Sequence, residues 1–339
     1  MTHFRLTRKE PAFSLDVDFP LPAGMTAVYG AAGSGKSLLL KLAAGLVPPH
    51  AGRILFDDAI LYDAAARVEV PACRRAFGYL PPGDSLFPHL TLRENLRFAA
   101  DQFPRLDRHR RVTEALDRWQ LAPHSELYPN QLAAGQRLQG AIARMLIAEP
   151  KLLLLDHAGI TESLLLQIRA ITAAPMLFAT GDLDLCCSNA SHMLVLDAGR
   201  IAQSGTPREI VGHPASVEVA RATGIPNVYQ GSIAALDPGR NTSLIQFEHF
   251  AVTAPYLPGR FRGDQIWVAI RPRDLRVHGS ASGANCIGTR LVRVSMRAEF
   301  ARLEFEDAVF ADLTLEEYAA AKDNKEWHVE FPPGALQIL

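Results

Sequence analysis

Eight residues, Gly30, Ala31, Ala32, Gly33, Ser34, Gly35, Lys36 and Ser37, restrict this chain more than any other stretch. They fit G-x-x-x-x-G-K-[ST] at every fixed position. The preceding "MTAVYG" reads as a short buried strand. Ser37 to Leu46 reads as a helix, closed by Gly45 and the Pro48-Pro49 pair. Glycines let such a backbone curl until successive N–H groups point into one concavity. The helix N-terminus adds partial positive charge there. Lys36 then reaches the β- and γ-phosphates of a nucleotide, and the Ser37 hydroxyl ligates Mg²⁺. Leu38, the next residue, is counted with the loop among the expected nucleotide-binding residues. An incidental glycine-rich turn is the plainer alternative, and the order strand, loop, helix speaks against it.

A second apolar strand, "KLLLLD", ends in Asp156, a carboxylate suited to hold Mg²⁺ through water. Without the upstream loop it would read equally well as a plain strand-end aspartate. "KLLLLD" and "APMLFAT" are almost wholly apolar, as strands buried on both faces are. "AFSLDVDFPLPAG" alternates from Phe13 to Phe19, so it reads as a half-buried strand ended by Pro20 and Pro22. "GRILFDD" predicts another strand, and Leu92 to Leu121 has helical spacing. "HMLVLDAGRIAQSG" predicts a hairpin turning at Ala198-Gly199. Near residue 225 the pattern changes to short alternating strands between Gly, Pro and Asn turns. The expected organisation is an α/β phosphate-loop nucleotide-binding domain over residues 1–224, then a smaller all-β, barrel-like module over residues 225–339.

The chain has 339 residues, 48% hydrophobic and 21% charged, which suits two globular domains. Its formal net charge of −1 gives nucleic acid no bulk attraction, so none is expected as a partner. No apolar run approaches the roughly 18 residues of a membrane span. The N-terminus lacks the apolar core of a signal peptide. A cytoplasmic protein is expected, reaching any membrane through a partner. Cys73, Cys186, Cys187 and Cys286 form no CxxC pair, and the histidines show no metal-ligand spacing.

With these features in place, the chain resembles the ATP-binding subunits of ABC importers. The resemblance rests on the phosphate loop, "LFPHLTLRENL", "YPNQLAAGQRLQGAIARML", "LLLLD" and "LDAGRIAQSGTPREI". "LFPHLTLRENL" and "FSLDVDFPLPAG" look most like the molybdate-importing members. "VAIRPRDLRV" resembles a strand of the oligomer-binding-type module of oxyanion and sugar importers. The resemblance implies ATP and Mg²⁺ as ligands, and integral membrane permease subunits as partners at the inner face of the membrane. It also implies a second ATP-binding subunit, identical or different, stacked head to tail. Each ATP then lies between one subunit's phosphate loop and the other's LSGGQ motif, which here reads Leu132, Ala133, Ala134, Gly135, Gln136. An aromatic against adenine falls at Phe13, which reads equally as a core residue. Arg271 and Arg273 are candidates for an oxyanion at the C-terminal module; such arginines also brace turns.

Several positions depart from that family pattern. The water-activating glutamate falls at His157. The γ-phosphate-sensing histidine falls at Gly181, and the glutamine of the loop linking ATP to the permease falls at Pro82. The "SALD" segment is absent. A positioned general base contributes roughly 10²–10⁴-fold. Histidine serves as a base when neutral, but a neighbouring triphosphate favours imidazolium, which would hold the γ-phosphate instead. Ala133 lacks the serine hydroxyl, and Ala134 puts a Cβ where backbone should approach nucleotide closely. The expectation is an ATP-binding subunit with weak or lost hydrolysis. The alternative is a non-hydrolytic regulatory subunit sensing nucleotide or oxyanion.

Overall fold

The computed structural model describes residues 2–83, 85–281, 283 and 285–339. They form two compact units, Met1–Arg208 and Glu209–Leu339. The division falls earlier in the chain than the change in sequence pattern near residue 225.

The first unit contains, in order, β1 (His3–Glu10), β2 (Phe13–Pro20), β3 (Met25–Tyr29), α1 (Lys36–Ala44), β4 (Ala51–Phe56), β5 (Ala59–Asp63), β6 (Val68–Glu69) and β7 (Phe77–Leu80). Next come α2 (Leu92–Ala99), α3 (Arg105–Arg118), α4 (Ala134–Ile147), β8 (Leu152–Leu155), α5 (Glu162–Ile171), β9 (Met176–Thr180), α6 (Leu183–Asn189), β10 (His192–Asp197) and β11 (Arg200–Gly205). All eleven strands join one sheet in the order β6-β5-β4-β1-β2-β11-β10-β3-β9-β8-β7. The block from β10 to β7 is parallel, and β1, β2, β4, β5 and β6 pair antiparallel. The apolar spelling of β8 follows from its place inside the parallel block, where all four leucines are buried. Helix α1 is spelled "KSLLLKLAA" because the core packs around it. Leu39, Leu40 and Leu42 are fully buried in one cluster with Phe4 and Leu15 of the antiparallel strands and Leu152 and Leu177 of the parallel ones.

The hairpin expected at Ala198-Gly199 is present. Both residues have positive φ, 43° and 80°, as a type I′ turn requires. A second such turn, Asp57 at 46° and Asp58 at 66°, joins β4 to β5. No asparagine-glycine pair marked it, so "GRILFDD" read as one strand. The long helical stretch is broken into α2 and α3, because Pro104 lacks the N–H an interior position needs and instead starts α3. Thr91 begins α2 with a full capping box to Glu94.

The second unit begins with α8 (Val217–Ala222), following α7 (Pro207–Gly212), which spans the division. It continues through β12 (Asn227–Asp237), β13 (Thr242–Gln246), β14 (Ala251–Pro255), β15 (Gln265–Ile270), β16 (Arg276–His278), β17 (Cys286–Thr289), β18 (Leu291–Met296), β19 (Phe300–Phe305), β20 (Val309–Thr314), α9 (Leu315–Ala321), β21 (Trp327–Glu330) and β22 (Gln337–Ile338). Three antiparallel sheets, β14-β13-β12-β15-β22, β16-β21-β17 and β18-β19-β20, share one apolar core built on residues such as Ile245, Val268, Phe305 and Phe331. One short α-helix, α9, interrupts the all-β character expected from residue 225 onward. The signal for α9 was Thr314 followed by Glu317, a capping box that the structure forms in full. Buried amides pin the pieces together: Asn227 brackets the Phe310 backbone at 2.7 and 2.8 Å. Arg271 donates to the carbonyls of Val211 and Gly212, so it braces this turn. Arg273 is the more exposed of the two arginines.

Arg75 closes the far end of α1. Its buried guanidinium donates to Ala43 O at 2.9 Å, Leu42 O at 3.4 Å and Val70 O at 2.9 Å. Gly45, at φ 77°, must lack a Cβ because one would meet Arg75 Cζ at 2.5 Å. Hydrogen bonds to a charged donor are worth about 1.5–3 kcal/mol each, and not additively. Arg75→Ala is therefore expected to destabilise the first unit by about 2–4 kcal/mol, read as a lower thermal midpoint. An unchanged midpoint would remove Arg75 from this account.

Candidate functional site

Strands β3, β9, β8 and β7 run parallel as neighbours, so their carboxyl ends share one edge of the sheet. Each is followed by a stretch marked in the sequence: Gly30–Ser37, Gly181, Asp156 with His157, and Pro81 with Pro82. Ligands of open parallel sheets bind beyond that edge.

The loop is held from inside and from behind. Gly30 is buried, and a Cβ on it would lie 2.3 Å from the Leu196 carbonyl oxygen. Ala31, Ala32 and Gly33 form the exposed crest, and Ser34 is buried beneath it. Ser34 N–H donates to Ala31 O at 3.2 Å, and Gly199 N–H donates to Ser34 O at 3.0 Å. Gly35 takes φ 105°, and a Cβ there would meet Phe13 Cζ at 2.7 Å. Phe13 is thus wedged beside the loop, partly buried against the core. Its place beside the loop comes with packing against the core, the plainer of the two readings. Leu38 packs against the same core.

Lys36 Nζ donates to the carbonyls of Gly30 and Ala31, both at 2.7 Å. Burial pushes its pKa below the usual lysine value, and the Asp156 carboxylate pulls it back up. Ser37 Oγ donates to Asp156 Oδ1 at 2.8 Å. Two residues 119 apart in sequence therefore meet, as the loop and strand patterns required. Asp156 is buried, with a relative exposure of 6%. Its other oxygen, Oδ2, accepts from the Tyr79 hydroxyl at 3.2 Å. Burial raises the Tyr79 pKa, and the charge of Asp156 raises it further, so the phenol stays a donor. The hydroxyl and carboxylate oxygens gathered here are hard donors of the type Mg²⁺ accepts.

His157 is half-buried beyond Asp156. Its Nδ1 accepts from the Gly159 N–H at 2.9 Å. This contact engages Nδ1 and leaves Nε2 as the other ring nitrogen. His157 lines a cavity of about 90 Å³ together with Gly83, Ser85, Leu86, Ala134 and Arg137. The structure thus brings Ala134 and the loop after Pro82 to the glutamate position. At Gly181 a Cβ would lie 3.6 Å from the Gly30 carbonyl oxygen, an ordinary contact. Packing leaves room for a side chain there. Ala133 is the N-cap of α4 and makes no side-chain cap bond. Gln136 Oε1 still accepts from Ala133 N–H at 2.9 Å, and its Nε2 lies 2.8 Å from His124 Nε2.

Two residues escaped the sequence reading. Tyr79 gave no signal, because only the pairing of β7 with β8 brings it to Asp156. Asn95 is fully buried. It donates to the carbonyls of Phe87, Leu90 and Thr91 and accepts from Phe87 N–H at 2.7 Å. It shapes the "LFPHLT" turn, and a polar residue on the inward face of α2 was its available signal.

A family model described as ABC transporter matches residues 15–159. The sulfate/thiosulfate import ATP-binding protein CysA of Thermosynechococcus vestitus is 32% identical over 82% of this chain and 78% of its own length. This chain belongs to the family of ATP-binding subunits of ABC importers. Other members are similar to it at comparable levels. The molybdenum import ATP-binding protein ModC of Rhizobium etli is 29% identical over 78% of this chain and 79% of its own. The spermidine/putrescine import ATP-binding protein PotA of Vibrio cholerae is 32% identical over 74% and 67%. Among solved structures, the ATP-binding subunit of an ABC transporter superposes with a TM-score of 0.53 at 26% identity, covering 62% of this chain and 91% of that one. Subunit cbiO1 from Clostridium perfringens gives 0.51 at 26%, covering 65% and 92%. ABC importer ATP-binding subunits bind ATP, and generally dimerise and pair with membrane permeases. No helix among the described residues is long and apolar enough to cross a membrane.

The bare N-cap of α4 generates a direct test. Its backbone is already extended, at φ −64° and ψ 155°, and Gln136 already makes half of a capping box. Ala133→Ser is expected to stabilise the first unit by about 1 kcal/mol, seen as a higher thermal midpoint. A lower midpoint would show that the cap geometry is misassigned.

Proposed function

We propose that this chain holds magnesium-bound ATP at Gly30–Ser37 and Asp156 and couples its binding to a membrane permease importing molybdate or a similar oxyanion, with hydrolysis slow or lost. The observation that carries this reading is the Ser37 Oγ to Asp156 Oδ1 contact at 2.8 Å, with Lys36 beside it at the carboxyl edge of the sheet. On this reading Lys36 exchanges the Gly30 and Ala31 carbonyls for phosphate oxygens. Ser37 and Asp156 would hold Mg²⁺, which supplies neutralisation of the phosphate charge. Ala133, Ala134, Gly135 and Gln136 face the nucleotide of a second ATP-binding subunit, identical or different. Molybdate is favoured by the wording of "LFPHLTLRENL" and by relatives such as ModC; the sulfate relative supports the wider oxyanion class. An oxyanion site in the module after residue 225 would draw on Arg273 rather than on Arg271, which is occupied by two carbonyls. The protein then works at the inner face of the membrane, as a peripheral subunit.

The His157 geometry supports slow hydrolysis. The Nδ1 lone pair of His157 is engaged by the Gly159 N–H. Gly181 supplies no side-chain donor. Losing a positioned base removes roughly 10²–10⁴-fold, and losing a donor to developing charge removes about 10²–10³-fold. The same geometry favours a second reading, a regulatory subunit that binds ATP without splitting it. Co-purification with permease subunits supports the importer, and its absence from membranes supports the regulator.

The expected phosphate release by purified protein is far below one per second. His157→Glu is expected to raise it at least about 10-fold, and Lys36→Ala to abolish magnesium-dependent ATP binding. Wild-type turnover near one per second would refute the proposal.

A further inference from the structure

Gln136 is tied at both ends of its carboxamide. Oε1 accepts from Ala133 N–H at 2.9 Å, and Nε2 lies 2.8 Å from His124 Nε2. The first contact sets the direction of the second. A backbone N–H only donates, so the carbonyl end of Gln136 faces Ala133. The amide nitrogen then faces His124, and it too only donates. His124 Nε2 therefore stands on the accepting side. The two residues are 12 apart in sequence and both are half-buried, whereas Ala133, Ala134 and Gly135 are exposed. His124 has a firm footing. It ends the short turn Ala122–His124, where its N–H donates to Leu121 O and its carbonyl accepts from Leu127 N–H, both at 3.0 Å. The residues that follow are tied to α2: Arg93 N–H donates to Ser125 O at 2.8 Å, and Leu92 N–H to Leu127 O at 2.9 Å.

Ala133 has no hydroxyl, so the N-cap residue of α4 does nothing to fix the entry to its own helix. Two other side chains order the turn from Leu132 to Gln136. One is Gln136, steadied by His124. The other is Arg137, which donates to Leu132 O at 2.7 Å. Resting on the reading that Ala133, Ala134, Gly135 and Gln136 meet the nucleotide of a second subunit, we propose that His124 is a positioning residue for that contact: by accepting from Gln136 Nε2, it holds the turn in the shape that receives the ATP carried by a second copy of this chain. His124 acts through Gln136 and not on the nucleotide. Without an acceptor at residue 124, the carboxamide keeps one anchor and the exposed turn must be ordered when the two copies meet. Ordering it beforehand lowers the cost of association. The chain's own phosphate loop is held by other residues, so its grip on ATP does not depend on His124.

The test pairs His124→Leu, which fills the space of the ring without an acceptor, with His124→Gln, whose Oε1 has the reach of the lost Nε2. Two quantities are measured on the full chain: binding of a fluorescent ATP analogue with Mg²⁺ at dilute protein, and association of two copies driven by Mg²⁺-ATP, followed by sedimentation velocity. The expected result for His124→Leu is association weakened about 3- to 10-fold, the worth of one hydrogen bond, with analogue binding unchanged. His124→Gln restores association. Unchanged association in His124→Leu overturns the proposal. So does a loss that His124→Gln fails to restore, or one matched by an equal loss of analogue binding, which marks general damage. Wild-type protein that binds the analogue but does not associate overturns this inference alone. Wild-type protein that does not bind the analogue overturns the nucleotide reading as well.

Discussion

The Ser37–Asp156 hydrogen bond is the contact on which the first unit's site depends. It crosses over β9, joining the start of α1 to the end of β8. A buried carboxylate without partners is strongly unfavourable, and here the hydroxyls of Ser37 and Tyr79 satisfy it. The bond also orders what lies on either side. It holds the loop's last residue against the sheet edge, and it aims the carboxylate before any ligand arrives. The apolar core around α1 provides the stiffness, since Leu39, Leu40 and Leu42 leave the helix little freedom to slide.

How much of this was legible depended on whether the information was local. The loop, the two buried strands and the Ala198-Gly199 hairpin are short patterns, and each stands where its pattern put it. Asp156 could be matched to Ser37 without knowing the strand order. Tyr79 could not, because its role exists only through β7 lying beside β8, and parallel neighbours leave no trace in chain order. The same limit hid the β4–β5 turn: two aspartates at positive φ lack the glycine that usually advertises it. The helical stretch was read too long because Pro104 was not weighed as a start signal. In the second unit, α9 was missed although its capping box was spelled out, since the alternating strands around it dominated the reading.

The departures from the family pattern share a physical character. None disturbs the frame. His157 sits at a strand end and bonds to a nearby backbone N–H, Ala133 occupies a proper N-cap conformation without a cap, and Pro82 lies in an exposed loop. What changes is which groups can give or take a proton and which can reach across to another subunit. Proton-transfer chemistry is sensitive to one lone pair, whereas the fold is set by many buried side chains. The two can therefore part company within one chain, as fold and function generally can.

Gly181 carries this furthest. The space above it is bounded by a single carbonyl oxygen at a comfortable distance, and its neighbours on β9 and β3 are tied by their own ladder. Gly181 thus lies exposed at the end of an intact strand. The edge of the sheet at this strand end is therefore set by backbone alone, and a residue with a side chain could stand here without disturbing the frame.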